Sequence, residues 1–194
     1  MKTTLLKSED YTRSPWKNGG GIFTDIADAH RADAPAKDWD SLLWRFASTP
    51  IVAPGPFSYM PGIDRLQMVV GGRGLVLKSP TQDFDEREPF TTVRFTGEME
   101  IVTALEAGPV EVVNLMARRG SAEIELLALR EPGERPLSGG THLVYAVSGE
   151  CSIRLNSEDI VIPDGSTLKV ELTEASRLGL VSGLAVLGSI QLVG

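Results

Sequence analysis

Short apolar runs of period two, cut every few residues by glycine or proline, leave this chain little choice of fold class. In residues 41–49, Leu42, Trp44 and Phe46 alternate with Leu43, Arg45 and Ala47. In residues 65–70, Leu66, Met68 and Val70 alternate with a set that carries Arg65 and Gln67. Successive side chains of a strand point to opposite faces, so each run has one apolar face and a second face to be explained. Further runs stand at 75–77, 92–95, 99–105, 110–116 and 122–129, separated by Gly71-Gly72, Thr96-Gly97 and Ala107-Gly108-Pro109. After a Pro- and Gly-rich linker at 131–140 the rhythm resumes at 142–147, 151–155, 159–162 and 167–172. Helical periodicity is almost absent. The pattern predicts an all-β chain of barrels or jelly rolls, and its second round of strand, turn and strand predicts two such units. Their expected extents are 1–130 and 131–194, packed as one globular body. Gly71-Gly72 reads as a hairpin turn between two strands, residues 27–40 as a loop with one helical turn, and the charged stretch 79–89 as a solvated connection.

The second faces carry the functional question. Arg45 stands between Leu43 and Ala47, and a buried cation needs a partner. Either an aspartate such as Asp25 or Asp64 pairs with it, or it is held for an anionic ligand, which a guanidinium fork suits. Asn114 shares a face with Val112 and Met116, so its amide is a satisfied core group or a ligand contact. Arg65 and Gln67 point away from Leu66 and Met68. Whether that face meets solvent or the inside of a barrel decides whether the chain binds something there. Upstream, Trp16, Lys17 and Asn18 precede Gly19, Gly20 and Gly21. The glycines alone make a turn, whereas their neighbours add a flat apolar surface, a cation and an amide, a suitable wall for a small polar ligand.

Several classes are excluded. A formal charge of −7 argues against a nucleic-acid partner. Cys151 is the only cysteine, so disulfides and zinc–thiolate clusters are out and a reducing cytoplasm is expected. The N-terminal stretch has no apolar core of signal-peptide length, and the apolar run at 178–193 is interrupted by Ser, Gly and Gln, so no membrane span is expected. No GxGxxG, GK[ST] or GxSxG motif is present, and Cys151 lies in an apolar strand. No acid–base pair stands out among the carboxylates. An enzyme is less expected than a binding protein.

The order of strand, glycine turn, strand and Pro163-Asp164-Gly165 resembles the cupins, small jelly-roll barrels. In metal-binding cupins three histidines and a glutamate hold the ion. Aligned on Gly71, this chain has Asp64 at the glutamate position and Ser58 and Met60, or Phe57 and Tyr59, at the histidine pair. Aligned on Gly149, His142 falls at the glutamate position, and Leu168 stands at the third histidine. Only His30 and His142 exist, so each half looks like a metal-free cupin with no cofactor.

The motifs PWKNGGG at 15–21, WR at 44–45, GPFSYMPGIDR at 55–65, GGRG at 71–74, FTG at 95–97 and NLMARRG at 114–120 together resemble the HutD/Ves family. The resemblance covers roughly the first 120 residues, and the rest agrees in strand rhythm. It implies a bicupin fold, a bacterial cytoplasmic setting and, for HutD members, a link to histidine utilisation by binding a small acid such as N-formylglutamate or formate and tempering pathway expression. Ves members imply a stress response instead. Carried over by position, the family pattern covers Trp16, Lys17, Asn18, Gly19 to Gly21, Arg45, Phe57, Ser58, Arg65 and Asn114. In this reading Lys17, Arg45 and Arg65 supply charge to a carboxylate, Asn18, Ser58 and Asn114 directional hydrogen bonds, and Trp16 and Phe57 apolar walls. Phe23 and Tyr59-Met60 depart from the usual pattern. The alternatives are a metal-free cupin isomerase or hydrolase acting on a small acid, and a structural or interaction module. Barrels with exposed edges often pair, which makes a homodimer an expected state.

Overall fold

In the computed structural model the described residues are 1–15, 22–32 and 39–193. The strands, in chain order, begin with β1 (Lys2–Leu6), β2 (Thr12–Pro15), β3 (Ile22–His30), β4 (Leu42–Ile51), β5 (Ile63–Gly71) and β6 (Leu75–Lys78). They continue with β7 (Asp83–Glu86), β8 (Thr92–Thr96), β9 (Val102–Leu105), β10 (Val110–Arg118), β11 (Ala122–Leu129) and β12 (Gly133–Leu137). β13 (Gly140–Ala146), β14 (Cys151–Leu155), β15 (Glu158–Ile162), β16 (Thr167–Leu172), β17 (Ser176–Ser182) and β18 (Ala185–Leu192) complete the set. The described residues contain no α-helix, and none of their helices is long and apolar enough to cross a membrane. The fold is all-β, as the alternation requires.

Contacts divide the chain into two units, Met1–Tyr11 with Glu125–Leu192, and Thr12–Ile124 with Val193. Met1–Tyr11 joins the C-terminal residues because β1 pairs antiparallel with β16. That unit has a five-stranded sheet, β1-β16-β13-β18-β11, and a four-stranded one, β12-β17-β14-β15. Leu129, Val144, Ile153, Leu155, Val170 and Leu178 meet between them in one apolar core. β12 occupies the stretch expected to be a linker. Its Pro136 is tolerated because β12 is an edge strand, where a missing N–H leaves no ladder bond unmade.

The Thr12–Ile124 unit has a six-stranded sheet, β2-β3-β4-β10-β5-β8, and a three-stranded one, β7-β6-β9. Ile51, Val69 and Val112 from the first meet Leu75 and Leu77 from the second, with Phe95 and Ile101, in the core between them. Each unit is thus a jelly-roll pair of open sheets. The Gly71-Gly72 turn does not make a hairpin. β5 pairs with β10 and β8, and β6 with β7 and β9, so the turn carries the chain from one sheet to the other. Gly72, at φ 90°, makes that corner, where a Cβ would stand 2.5 Å from the Pro109 carbonyl oxygen. The loops at 27–40 and 79–89 are likewise shorter than expected, because β3 runs on to His30 and β7 occupies Asp83–Glu86.

A second glycine fixes the segment before β5. The Met60 N–H donates to the Gly97 carbonyl at 2.8 Å, and the Gly97 N–H to that of Ile63 at 2.7 Å. A Cβ on Gly97 would lie 2.0 Å from the Met60 oxygen. Arg119, in the turn after β10, clamps the same corner, bonding Asp64 at 2.9 Å and Glu98 at 3.0 Å, while Glu98 accepts the Gly62 N–H at 2.7 Å. Gly97→Ala is expected to lower stability by about 1–3 kcal/mol, because backbone rather than a flexible side chain must move. Gly55→Ala, with nothing within 4 Å of the added methyl, shifts it by less than about 0.5 kcal/mol. Denaturant midpoints of the two variants check this.

Candidate functional site

The register of β4, β10 and β5 lays a polar stripe across the interior of the Thr12–Ile124 unit. Asn114 on β10 stands opposite Ala47 on β4 and Gln67 on β5. Met116, one step along the same face, stands opposite Arg45 and Arg65, and Val112 opposite Thr49 and Val69. Val69 and Val112 belong to the core, so the face that carries Arg65, Gln67 and Asn114 is the inside of the jelly roll, not solvent. Arg65 is 5 % exposed, Asn114 2 % and Gln67 0 %.

Arg65 is held on three sides. Its guanidinium carbon lies 4.9 Å from the ring centroid of Phe57 and 4.9 Å from that of Phe95, whose rings are 6.0 Å apart. Both rings offer their electron-rich surface to the cation and exclude water from it. In hydrogen-bonding terms Arg65 donates through Nη2 to Asn114 Oδ1 at 3.1 Å, and its Nε–H has no partner. Among the described residues no carboxylate lies within 4.0 Å of it. Burial pulls the guanidinium down to about 10, against the attraction of Glu86.

These residues surround a cavity of about 20 Å³. Phe23, Ile51, Phe57, Met60 and Val112 form its apolar wall. Thr49, Ser58, Arg65, Gln67 and Asn114 supply its polar atoms. Thr49 Oγ1 and Gln67 Oε1 are buried without partners, as is Arg65 Nε. Native interiors leave few such atoms unpaired, and three on one small cavity mark a place for a polar guest. The volume admits roughly one to two water-sized groups, which is the scale of one carboxylate.

Behind the cavity stands Glu86, within the stretch 79–89 whose charge pattern predicts a solvated connection. Glu86 is 0 % exposed and its Oε2 accepts the Gln67 amide N–H at 2.8 Å, while Oε1 has no partner. Burial raises its carboxyl to about 7, opposed by hydrogen bonds from Gln67 and the Val69 backbone and by the charge of Arg65. The signal was present: in β7, Asp83 and Asp85 are exposed while Phe84 and Glu86 turn inward. Gln67 had its own signal, two residues from Arg65 on the same face.

Four sequence-predicted residues, Phe57, Ser58, Arg65 and Asn114, come together on this cavity. Arg45 does not line it. It pairs with Asp25, with its guanidinium carbon 4.7 Å from the Phe23 ring centroid and 5.1 Å from that of Trp39. Asp64, the other partner considered, is taken by Arg119. Phe23, a departure from the family pattern, connects the two arginines, stacking on Arg45 and lining the cavity of Arg65. Trp16, Lys17, Asn18, Gly19 and Gly20 lie outside the described residues. His142 is buried between Ser189 Oγ and the Ser138 carbonyl, both at 2.9 Å, and burial pulls its pKa down. Buried Cys151 is pushed up to about 11, which leaves an inert thiol.

Because Glu86 is held above the ordinary 4.5, folding favours its protonated form. Its stabilisation is therefore whole below about pH 4.5 and is lost as the pH rises to about 7. The loss is of order 3 kcal/mol. In Glu86→Gln that part of the pH dependence disappears, and unfolding free energies at pH 5 and 8 measure it.

The same chain matches the family model described as HutD over residues 8–186. Among curated proteins it is 27% identical over 190 residues to an uncharacterised 21.2 kDa protein in the hutC 3′ region of Pseudomonas putida, covering 98% of this chain and 90% of that one. The solved structure of HutD from Pseudomonas fluorescens SBW25, in a formate condition, superposes with a TM-score of 0.80 at 22% identity, covering all of both chains. A cupin 2 conserved barrel domain protein from Leptotrichia buccalis superposes at 0.53 with 8% identity, over 89% of each chain. These two share the fold.

Proposed function

Since this chain belongs to the HutD family, we propose that it is a non-catalytic cupin that binds a small carboxylate metabolite between Arg65, Asn114 and Ser58. The observation that supports this most is the buried Arg65 guanidinium, set against two phenyl rings, with no carboxylate partner and no Nε–H partner among the described residues, on a small cavity. Burying an unpaired cation costs several kcal/mol, and an anionic guest offsets that cost through charge-assisted hydrogen bonds. The in-plane donors of a stacked guanidinium match the two oxygens of a carboxylate. The cavity, about 20 Å³, is on the scale of a formate-sized group or of one carboxylate of a larger acid. The relative's name, in the hutC 3′ region, and the family's name support a histidine-utilisation context; the role proposed there is regulatory, with a Ves-like stress response as the alternative.

A metal-free cupin enzyme is the second reading, and Glu86 favours it, since a carboxyl near neutral pKa suits general acid–base work. Glu86 reaches the cavity only through Gln67, however, and no nucleophile stands beside it. Binding therefore remains the stronger reading.

The test is thermal shift with formate, N-formylglutamate, glutamate, urocanate and histidine. A guest that binds only the folded state raises the melting temperature by mass action. The expected result is a saturable shift with one acid, weakened at least about tenfold in Arg65→Met, where an unbranched apolar chain keeps the place between Phe57 and Phe95. Arg45→Met keeps binding and loses stability, because it strands Asp25. Undiminished binding by Arg65→Met would move the site elsewhere, and no shift with any acid would leave an interaction module.

A further inference from the structure

Among the described residues, Arg65 and Glu86 are two buried charges that attract one another, and Arg45 opposes Arg65 more weakly. The groups packed around Glu86 add no competing charge. On its own strand Asp83 and Asp85 are exposed, and the following Arg87 is bound to Asp85, with Glu106 3.9 Å away. On β6 the ionisable residue, Lys78, is exposed, and β9 has none. Arg94 of β8 donates to the Ile124 carbonyl, and Glu111 of β10 accepts from Ser48. Arg45 of β4 is paired with Asp25. Arg65 and Glu86 are therefore the two buried ionisable groups at the site, Arg65 bonded to Asn114 and Glu86 to Gln67, with the paired Arg45 acting on Arg65 from farther off.

Such a pair has two settings. With Glu86 ionised, the interior is neutral and a second anion at Arg65 would bring two carboxylates into one low-dielectric space. With Glu86 protonated, the interior carries the charge of Arg65 alone and accepts an anion. Like charges in one site drive one carboxyl to hold a proton. Geometry agrees: Glu86 is 0 % exposed and its Oε1 has no donor partner among the described residues, so ionisation leaves a charged oxygen unsolvated and protonation relieves it. We propose that the cavity takes up a proton with each anion, the proton passing from solvent to Glu86, so that carboxylate binding at Arg65 is governed by pH. This rests on the reading of the cavity as a carboxylate site, and it gives that site a regulation of its own: affinity rises as the surroundings acidify.

Calorimetric titration with sodium formate, in two buffers of different ionisation enthalpy at each pH from 5.5 to 8.5, counts the protons taken up. Expected are an uptake approaching one proton per formate above about pH 7, almost none at 5.5, and an affinity that falls towards tenfold per pH unit above about pH 7. In Glu86→Gln the uptake vanishes and the affinity no longer changes with pH. Formate binding without uptake at pH 8 overturns the linkage and leaves the carboxylate site standing. Uptake retained in a folded Glu86→Gln assigns the proton to another group and overturns it too. No formate binding at any pH removes the carboxylate site and this inference with it. If Glu86→Gln fails to fold, the wild-type count still tests the uptake itself, and its absence at pH 8 overturns the inference.

Discussion

A cation held inside an apolar jelly roll, with no counter-ion at contact distance among the described residues, sets the terms for the Thr12–Ile124 unit. Arg65 sits on a central strand, where both neighbours, β10 and β8, contribute to its cage. Phe95 is directly opposite it across the β5–β8 ladder, Phe57 comes from the segment before β5, and Asn114 from β10. No single strand could build this arrangement. Each partner is delivered by a different connection of the fold, and each must arrive in register, because a slip of one residue would turn the whole polar stripe to the opposite face.

That requirement explains why so many polar groups around the site are structural. Gly97 lets two backbone segments touch where any side chain would collide. Arg119 ties Asp64 and Glu98 together, and its hydrogen bonds hold the Glu98 carboxyl down to about 2. Arg118 donates to the carbonyls of Leu42 and Trp39, fixing the start of β4. Phe57 is placed by a 2.8 Å bond from its N–H to the Ile101 carbonyl. Gly97, Arg118 and Arg119 fall in the FTG and NLMARRG motifs and Phe57 and Asp64 in GPFSYMPGIDR, so much of what marks the family in sequence holds the frame in which Arg65 is presented.

The fold class was legible because period-two alternation survives in nearly every strand, and Arg65, Gln67 and Asn114 were legible as polar groups on faces that also carried Val69 or Val112. What alternation could not show was which strands pair. Gly71-Gly72 looks like a hairpin turn, yet a corner between two sheets needs the same positive φ. Glu86 was hidden by its neighbours: three acidic residues in four, DFDE, read as a solvated run, and only the inward turn of Phe84 betrays the second face. Arg45 illustrates the opposite case, a buried arginine whose partner, Asp25, lies twenty residues earlier and answers for its charge. Identical sequence logic flags both arginines, and only three-dimensional pairing separates Arg45, paired with Asp25, from Arg65, which has no carboxylate partner among the described residues.

The most direct test is a crystal structure of the protein grown with formate. The expected result is an anion in the cavity with its oxygens at hydrogen-bonding distance from Arg65 Nε and the Ser58 hydroxyl, Arg65 still between Phe57 and Phe95. A cavity holding only water, with Arg65 turned to pair with Glu86, would contradict the claim that this cation is kept for a carboxylate.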